Sequence, residues 1–371
     1  MTTKKVLIAG GGTTGHVSPA IAAAEALRKR GADILYIGTP AGPECRLVPA
    51  AGFAFEAVKI TGRGNRILSF ANVRAAAHLA GALRRCLAIV RRYQPSVVLG
   101  TGGYVSLPPV LAAKMRGVPI VLHEQNSVPG LANRLAARFA RTVAVSFPGT
   151  ERAFGEAGKL VGNPVGPRLE SLDRAAEQRP AREHFGLDAD LPTMLIFGGS
   201  QGAASINRAC LDAYHPLRAL KLQVLHICGP DKFESAQIKL NSMVREGDAI
   251  AWKLLGYCDR MDLAYSAADL ALCRSGASTI AELATVGLPA VLVPYPGSID
   301  GDQRHNAETA ATLGGARMVA DAQLTSDVVV DATQRLLFDK KALSRMSKMI
   351  RRLASPGAAE KLADLVIEAA G

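Results

Sequence analysis

The chain has 371 residues, 49% of them hydrophobic, with 36 Gly, a single Trp and a formal net charge of +12. At ~150 residues per domain this length fits two or three packed α/β domains, and no apolar run reaches the ~18–20 residues that cross a bilayer. The charge is uneven: residues 1–160 carry 21 Lys and Arg against 7 Asp and Glu, a net +14, and residues 161–371 carry a net −2. A basic half joined to a neutral half turns the first towards an anionic surface, whether nucleic acid, membrane or phosphorylated substrate. Six cysteines, at 45, 86, 210, 228, 258 and 273, form no CxxC or Cys/His spacing. They read as buried thiols of a reducing compartment, and no metal site is expected.

The opening, MTTKKVLIAGGG, reads as a first strand, Lys4 to Ala9, broken by glycines too early for a signal peptide. GGGTTGH and an Ala-rich helix from about Val17 to Arg30 follow, then a strand from Asp33 to Gly38. Gly10, Gly12 and Gly15 match GxGxxG between a strand and a helix, the context of a dinucleotide loop. That loop also needs a carboxylate at the end of the second strand. Here the end reads Tyr36-Ile-Gly-Thr39, without one, which argues against NAD and for a loop that tolerates phosphate. His16 directly follows the last glycine, and either bonds the helix start or serves as a base or ligand contact.

Residues 59–66, KITGRGNR, form a basic loop leading to Ile67, Leu68 and Phe70. The helix behind it carries an apolar stripe at Val73, Ala76, Ala80, Leu83, Leu87 and Val90, and another face with Arg74, His78, Arg85 and Arg92. Such a face is either solvated or, beside Arg63, Arg66 and Phe70, a membrane-surface patch. Strand Val97 to Leu99 leads into GTGGYVSLPP, and strand Pro119 to Leu122 into HEQN, His123 to Asn126. Four polar side chains then stand at a strand end, where open α/β sheets bind ligands. Arg134, Arg138 and Arg141 extend the basic field.

Around Leu160 to Arg168 the prolines and glycines mark a crossing between domains, expected at 1–163 and 164–355. An amphipathic helix of about 356–371, with Leu362, Leu365 and Val366 on one side, is expected to pack back on the first. Strand Thr193 to Phe197, GGSQGA and strand Gln223 to Cys228 restart the doubly wound theme. Asp269 to Pro294 then reads as strand Leu270 to Cys273, polar loop Arg274 to Ser278, a short helix stopped by Gly287 and Pro289, and strand Ala290 to Val293. Small residues leave the first amides of that helix open to a phosphate, and Glu282, one turn in, can accept two ribose hydroxyls. Thr279-Ile-Ala-Glu282 is equally a capping box that only starts a helix. Gly198-Gly-Ser-Gln-Gly202 also matches the GxSxG nucleophile elbow, with His215, His226 and His305 downstream. That hydrolase reading leaves the other glycine loops and the basic half unexplained, and no nucleic-acid motif accompanies the charge.

Taken together, GGGTTGHVSPA, GTGGYVSLPPVLAA, VLHEQN, GGSQGA and CRSGASTIAELATVGLPAVLVP resemble, in order and spacing, the MurG family of peptidoglycan N-acetylglucosaminyltransferases over nearly the whole chain. The resemblance implies the GT-B fold, an α/β architecture of two doubly wound Rossmann-like domains facing across a cleft. It implies an inverting transfer of GlcNAc from UDP-GlcNAc to the C4 hydroxyl of MurNAc in lipid I, giving lipid II. It also implies no cofactor, and a peripheral place on the cytoplasmic face of the inner membrane. By similarity, Thr13, Thr14 and Gly15 approach the donor's sugar and diphosphate, Asn126 the GlcNAc and Ser200 the diphosphate. Ala277, Ser278, Thr279, Ile280, Ala281 and Glu282 cradle the nucleotide, and Gln303 reads GlcNAc hydroxyls. Gly102, Gly103 and Tyr104 fall to the acceptor; Arg63, Arg66, Ile67, Leu68, Phe70, Arg74 and Arg85 fall to the membrane. His16 is the candidate base, and Glu124 either orients it or is the base itself. Gly166 stands where the family commonly has an arginine after Asn-Pro-Val, with Arg168 as its replacement, and Thr14 stands where a glycine is common. The alternative is a transferase of the same architecture with a lipid-independent acceptor.

Overall fold

The computed structural model describes residues 3–60, 70–298 and 301–371, with residues 70–77 as backbone alone. The chain divides into two compact units, residues 1–166 with 355–371, and residues 167–354. Unit 1 is built on β1 (Lys5–Ala9), β2 (Asp33–Gly38), β3 (Ala54–Ala57), β4 (Val97–Gly100), β5 (Ile120–Glu124), β6 (Thr142–Val145) and β7 (Gly158–Leu160). They pair in the order β3-β2-β1-β4-β5-β6-β7, every neighbour parallel. Unit 2 holds β8 (Thr193–Phe197), β9 (Gln223–Ile227), β10 (Ala251–Leu255), β11 (Leu270–Cys273), β12 (Ala290–Leu292) and β13 (Ala316–Met318). Their order, β10-β9-β8-β11-β12-β13, is again all parallel.

Parallel strands covered by helices on both faces need uninterrupted apolar runs, and β1, β4, β8 and β11 supply them. In both sheets the winding reverses after the third strand, between β1 and β4 and between β8 and β11. Beyond the carboxyl ends of such a pair the flanking loops diverge and leave a crevice. The loops that follow β1 and β4, and β8 and β11, are the glycine-rich segments.

The helix Thr14–Lys29 starts three residues earlier than the apolar run suggests and takes Pro19 into its second turn. Its alanines admit the last helix, Ala358–Ala370, at short range: Ala20, Ala24 and Leu27 share one core with Leu362, Ala363 and Val366. Leu365 is only partly buried there. In the helix Phe70–Tyr93 the buried stripe is Ala82, Cys86, Ile89 and Val90, with Leu83 and Leu87 beside it and Ala80 exposed. The expected stripe is therefore rotated by about one position. Among the described residues no helix is long and apolar enough to cross a membrane, and no group of acidic, His or Cys side chains could hold a metal ion.

Candidate active site

In unit 1 the site grows from the loops after β1 and β4. His16 lies in the first turn of the helix Thr14–Lys29, half-buried, behind Thr13 at its N-cap and beside Thr14 and Gly15. Its ring is framed by Gly102 and Gly103. At Gly103, φ is +72°, and a Cβ would lie 2.7 Å from the Gly11 carbonyl and 3.2 Å from the imidazole, so only glycine lets this loop pass. Tyr104 is exposed beside Gly12. The His16 Nδ1 is 3.0 Å from Gln125 Oε1, and Thr101 Oγ1 donates to the His16 carbonyl at 3.2 Å.

The structure corrects the reading of Glu124. β5 runs two residues past Leu122, so His123 and Glu124 are buried strand residues. The Glu124 carboxylate accepts from the Asn126 amide at 2.9 Å, the Gly130 amide at 3.0 Å and Asn133 Nδ2 at 2.9 Å. It clamps the loop that displays Asn126. Its bonds go to that loop and not to His16, whose Nδ1 meets Gln125 instead. Burial lowers the His123 imidazole to about 4, so this ring stays neutral.

A second correction concerns the carboxylate missing from the end of β2. Glu44 opens the helix Glu44–Ala50 and folds back, fully buried, to that position. Its Oε1 accepts from the Thr39 amide at 2.9 Å and the Thr39 hydroxyl at 2.6 Å, and its Oε2 accepts from the Gly12 amide at 3.1 Å. Side chains on Gly11, Gly38 or Gly42 would strike it. The acid is present, five residues late in sequence, and it seals the first glycine loop from within instead of offering itself to a ribose.

In unit 2 the loop after β8 turns so tightly that a Cβ on Gly202, where φ is +69°, would meet the Cys228 carbonyl; Ser200 stands exposed on the turn. The elbow reading lacks its base. His226 is buried against Asn207 Oδ1, His305 bonds the Gly301 carbonyl, and His215 packs edge-on to Tyr214. After β11, the helix Ala277–Val286 begins from Gly276 with neither a side-chain cap nor an acid in its first turn. Thr279 is thus the third residue inside the helix, and the capping box is overturned. The helix's positive end lies at Ala277, which is buried, with Ser278 and Thr279 partly exposed and Ile280 buried. Glu282, like its neighbour Ala281 partly exposed, follows one turn on. Burial raises its carboxyl above the ordinary value, and a 2.6 Å bond from the Tyr265 hydroxyl lowers it again.

The far end of that helix is pinned: Arg351 donates to the Thr285 and Val286 carbonyls, and Ser347 and Arg174 donate to that of Gly287. Its near end is pinned by Arg274, which bonds Asp321 at 2.6 Å, Ser205 at 2.9 Å and the Val293 carbonyl. Gln303 belongs to the first turn of Asp302–Thr312. Its Oε1 accepts from the Tyr295 amide at 3.0 Å. Arg168 is exposed on the short helix Pro167–Glu170, while a Cβ on Gly166 would meet nothing within 4 Å.

Of the expected membrane residues, Arg63, Arg66, Ile67 and Leu68 lie outside the described residues, and so do the side chains of Phe70 and Arg74. Arg85 is not an unopposed cation, since it pairs with Glu56 at 3.5 Å, which Arg92 also engages. Sequence reasoning missed Glu44, Asn133 and Tyr265, and quoted Gln125 without giving it a role. Only the HEQN segment carried any signal for these, as polar side chains where an apolar strand should continue.

Residues 6–145 match the glycosyltransferase family 28 N-terminal domain, and residues 193–364 match the glycosyltransferase family 28 C-terminal domain. The chain is 44% identical over 369 residues to a protein of Nocardioides sp., covering 98% of each, and 45% identical over 370 residues to one of Acidothermus cellulolyticus, also covering 98% of each. Both are named UDP-N-acetylglucosamine--N-acetylmuramyl-(pentapeptide) pyrophosphoryl-undecaprenol N-acetylglucosamine transferase. The crystal structure of Acinetobacter baumannii MurG superposes with a TM-score of 0.77 at 31% identity, over 99% of this chain and 100% of that one. The GT-B fold expected from the motifs is therefore the observed one, and the chain belongs to glycosyltransferase family 28 and, within it, to the MurG family of N-acetylglucosaminyltransferases.

Proposed function

We propose that the chain moves GlcNAc from UDP-GlcNAc to the C4 hydroxyl of MurNAc in undecaprenyl-pyrophosphoryl-MurNAc-pentapeptide, with inversion at the anomeric carbon. The observation that carries this reading is the uncapped helix Ala277–Val286 with Glu282 one turn in, at the switch point of unit 2, in a chain whose relatives are named for this transfer. Unit 2 takes the donor. Glu282 accepts the ribose hydroxyls, and the helix amides with Ser200 and Arg168 hold the diphosphate, where fixed N–H dipoles stabilise the charge that develops as UDP departs. On unit 2, Gln303 reads the sugar. Unit 1 takes the acceptor along Gly102, Gly103 and Tyr104. His16 removes the C4 proton, the freed oxygen attacks C1, and the C1–O bond electrons leave on UDP.

A polyprenyl acceptor stays in the bilayer, so the enzyme has to come to it. In unit 1, Leu131 and Leu135 stand one turn apart, 58% and 41% exposed, with Phe139 exposed beyond them. Arg134 and Arg138 are exposed among them, and Lys114 lies 5.8 Å over the Phe139 ring. Cations around exposed apolar side chains suit an anionic leaflet. Binding to phosphatidylglycerol vesicles should weaken with salt and fall sharply in the L131S/L135S/F139S triple variant. Incubation with UDP-[14C]GlcNAc and a lipid I analogue should yield a lipid-linked disaccharide; label transferred only to water or to a lipid-free sugar would sink the proposed reaction.

A further inference from the structure

The bonds around Gln125 have only one self-consistent direction. Its Nε2 is 2.9 Å from the Thr101 carbonyl, which can only accept, so the amide nitrogen must face Thr101. The same nitrogen lies 2.9 Å from His123 Nδ1. That atom must accept, because His123 Nε2 is 3.0 Å from the Gly162 carbonyl and so carries the ring's proton. The two N–H bonds of the amide therefore have two acceptors at 2.9 Å, with the His123 carbonyl a longer third at 3.3 Å, and turning the amide over would set its oxygen against the Thr101 and His123 carbonyl oxygens. Thr101, His123 and Gln125 are all buried, so water offers no substitute partner. What remains is Gln125 Oε1, an acceptor, 3.0 Å from His16 Nδ1. That nitrogen must hold the hydrogen, and in a neutral imidazole the lone pair is then on Nε2.

We propose that Gln125 is the positioning residue of the transfer: it holds His16 as the Nδ1–H tautomer, so that Nε2 keeps the lone pair that takes the acceptor hydroxyl's proton. This rests on His16 being the base. In the step itself the C4 O–H bond breaks, its proton goes to Nε2, the oxygen bonds to C1 of GlcNAc, and the C1–O electrons leave with UDP. The titratable groups in the neighbouring loops are His123 beyond Gln125, Glu44 at Gly12, Glu124 at Asn133, and Tyr104 beside Gly12. The bonds of Glu44 and Glu124 go to Thr39, Gly12, Asn126, Gly130 and Asn133. Gln125 is thus the group that sets which nitrogen of His16 is basic.

Long-range ¹H–¹⁵N spectra of the full-length protein, with the His16 signals assigned by their loss in H16A, read the tautomer directly. The parent should show a protonated Nδ1 and a bare Nε2, and Q125L should shift towards the Nε2–H form that imidazole prefers in water. In kinetics, Q125L should lose at least roughly tenfold in kcat, as expected for a mis-set tautomer, while keeping its KM for UDP-GlcNAc. Q125E restores an acceptor opposite Nδ1–H. Its second oxygen meets the Thr101 carbonyl that the amide nitrogen served, so Q125E is read in the pH profile: it should move the acid limb of kcat up, since a carboxylate favours the charged ring. A bare Nδ1 in the parent, or a Q125L enzyme with parental kcat and tautomer, overturns the proposal. Should Q125L fail to fold, the parent spectrum and the Q125E limb still decide it. Parental activity in H16A would instead remove His16 as the base while leaving the tautomer measurement standing, so the two failures are distinguishable.

Discussion

Units 1 and 2 wind their sheets alike, β3-β2-β1-β4-β5-β6 and β10-β9-β8-β11-β12-β13, and each puts a glycine loop on both sides of its switch point. In unit 1 a carboxylate enters from behind: Glu44, buried, ties Gly12 to Thr39. In unit 2 no side chain caps the helix Ala277–Val286, and its acid, Glu282, is half open and held by one phenol. The same crevice is filled by a side chain in one unit and left uncapped in the other. The difference lies in which element delivers the acid, not in the glycine pattern, which alone would have marked both as nucleotide sites.

The largest expected effect separates the chemistry of unit 1 from the binding in unit 2. H16A should lower kcat by about 10²–10⁴-fold, the usual contribution of a positioned base, with UDP affinity kept in calorimetry. A comparable loss of UDP affinity would blur the division. Next comes E282A, which removes charged hydrogen bonds worth ~1.5–3 kcal/mol each and should raise the UDP dissociation constant at least roughly tenfold per bond. Because burial raises the Glu282 carboxyl, UDP affinity should fall as pH drops through a value above the ordinary carboxylate range, and E282Q should flatten that limb. UDP titrations should give one site per chain; two would mean that Glu44 does not close the first crevice.

E44Q should act on folding and spare the ligand. Its amide keeps an oxygen for Thr39 but sets a donor against the Gly12 N–H, at about 1–3 kcal/mol in the denaturant midpoint, with UDP affinity unchanged. An unaltered midpoint would show that the loop is held by something other than this carboxylate. The smallest effect belongs to Gln303. Its oxygen already serves the Tyr295 amide, so Q303A should weaken UDP-GlcNAc by only a few-fold beyond any loss for UDP. Equal losses for both ligands would reduce Gln303 to a loop brace.

The strands at the centre of each sheet were legible because burial on two faces forces a continuous apolar run, as in β1, β4, β8 and β11. β3, β6, β7, β10 and β13 were not. Four of these are edge strands, short and partly solvated, so they carry no such run. The glycine loops were legible too, since a chain that turns from strand to helix within a few residues needs them. Their use was not. GxGxxG and GGSQGA describe backbone room, and room admits a phosphate, a passing imidazole or a folded-back carboxylate equally well.

What the sequence determined by itself is the two-fold repeat of winding and the family, both of which follow from local pattern. What the tertiary structure decided is the partner of each polar side chain. Glu44 reaches Gly12 across 32 residues, Tyr265 reaches Glu282 across 17, and Gln125 reaches His16 across 109. A buried hydrogen bond is set by which loops the sheet brings within 3 Å, and strand order, not spacing along the chain, fixes that. So the sequence could name His16 and Glu124 as neighbours in function, but only the end of β5 and the residue just past it gave His16 to Gln125 and turned Glu124 to its own loop.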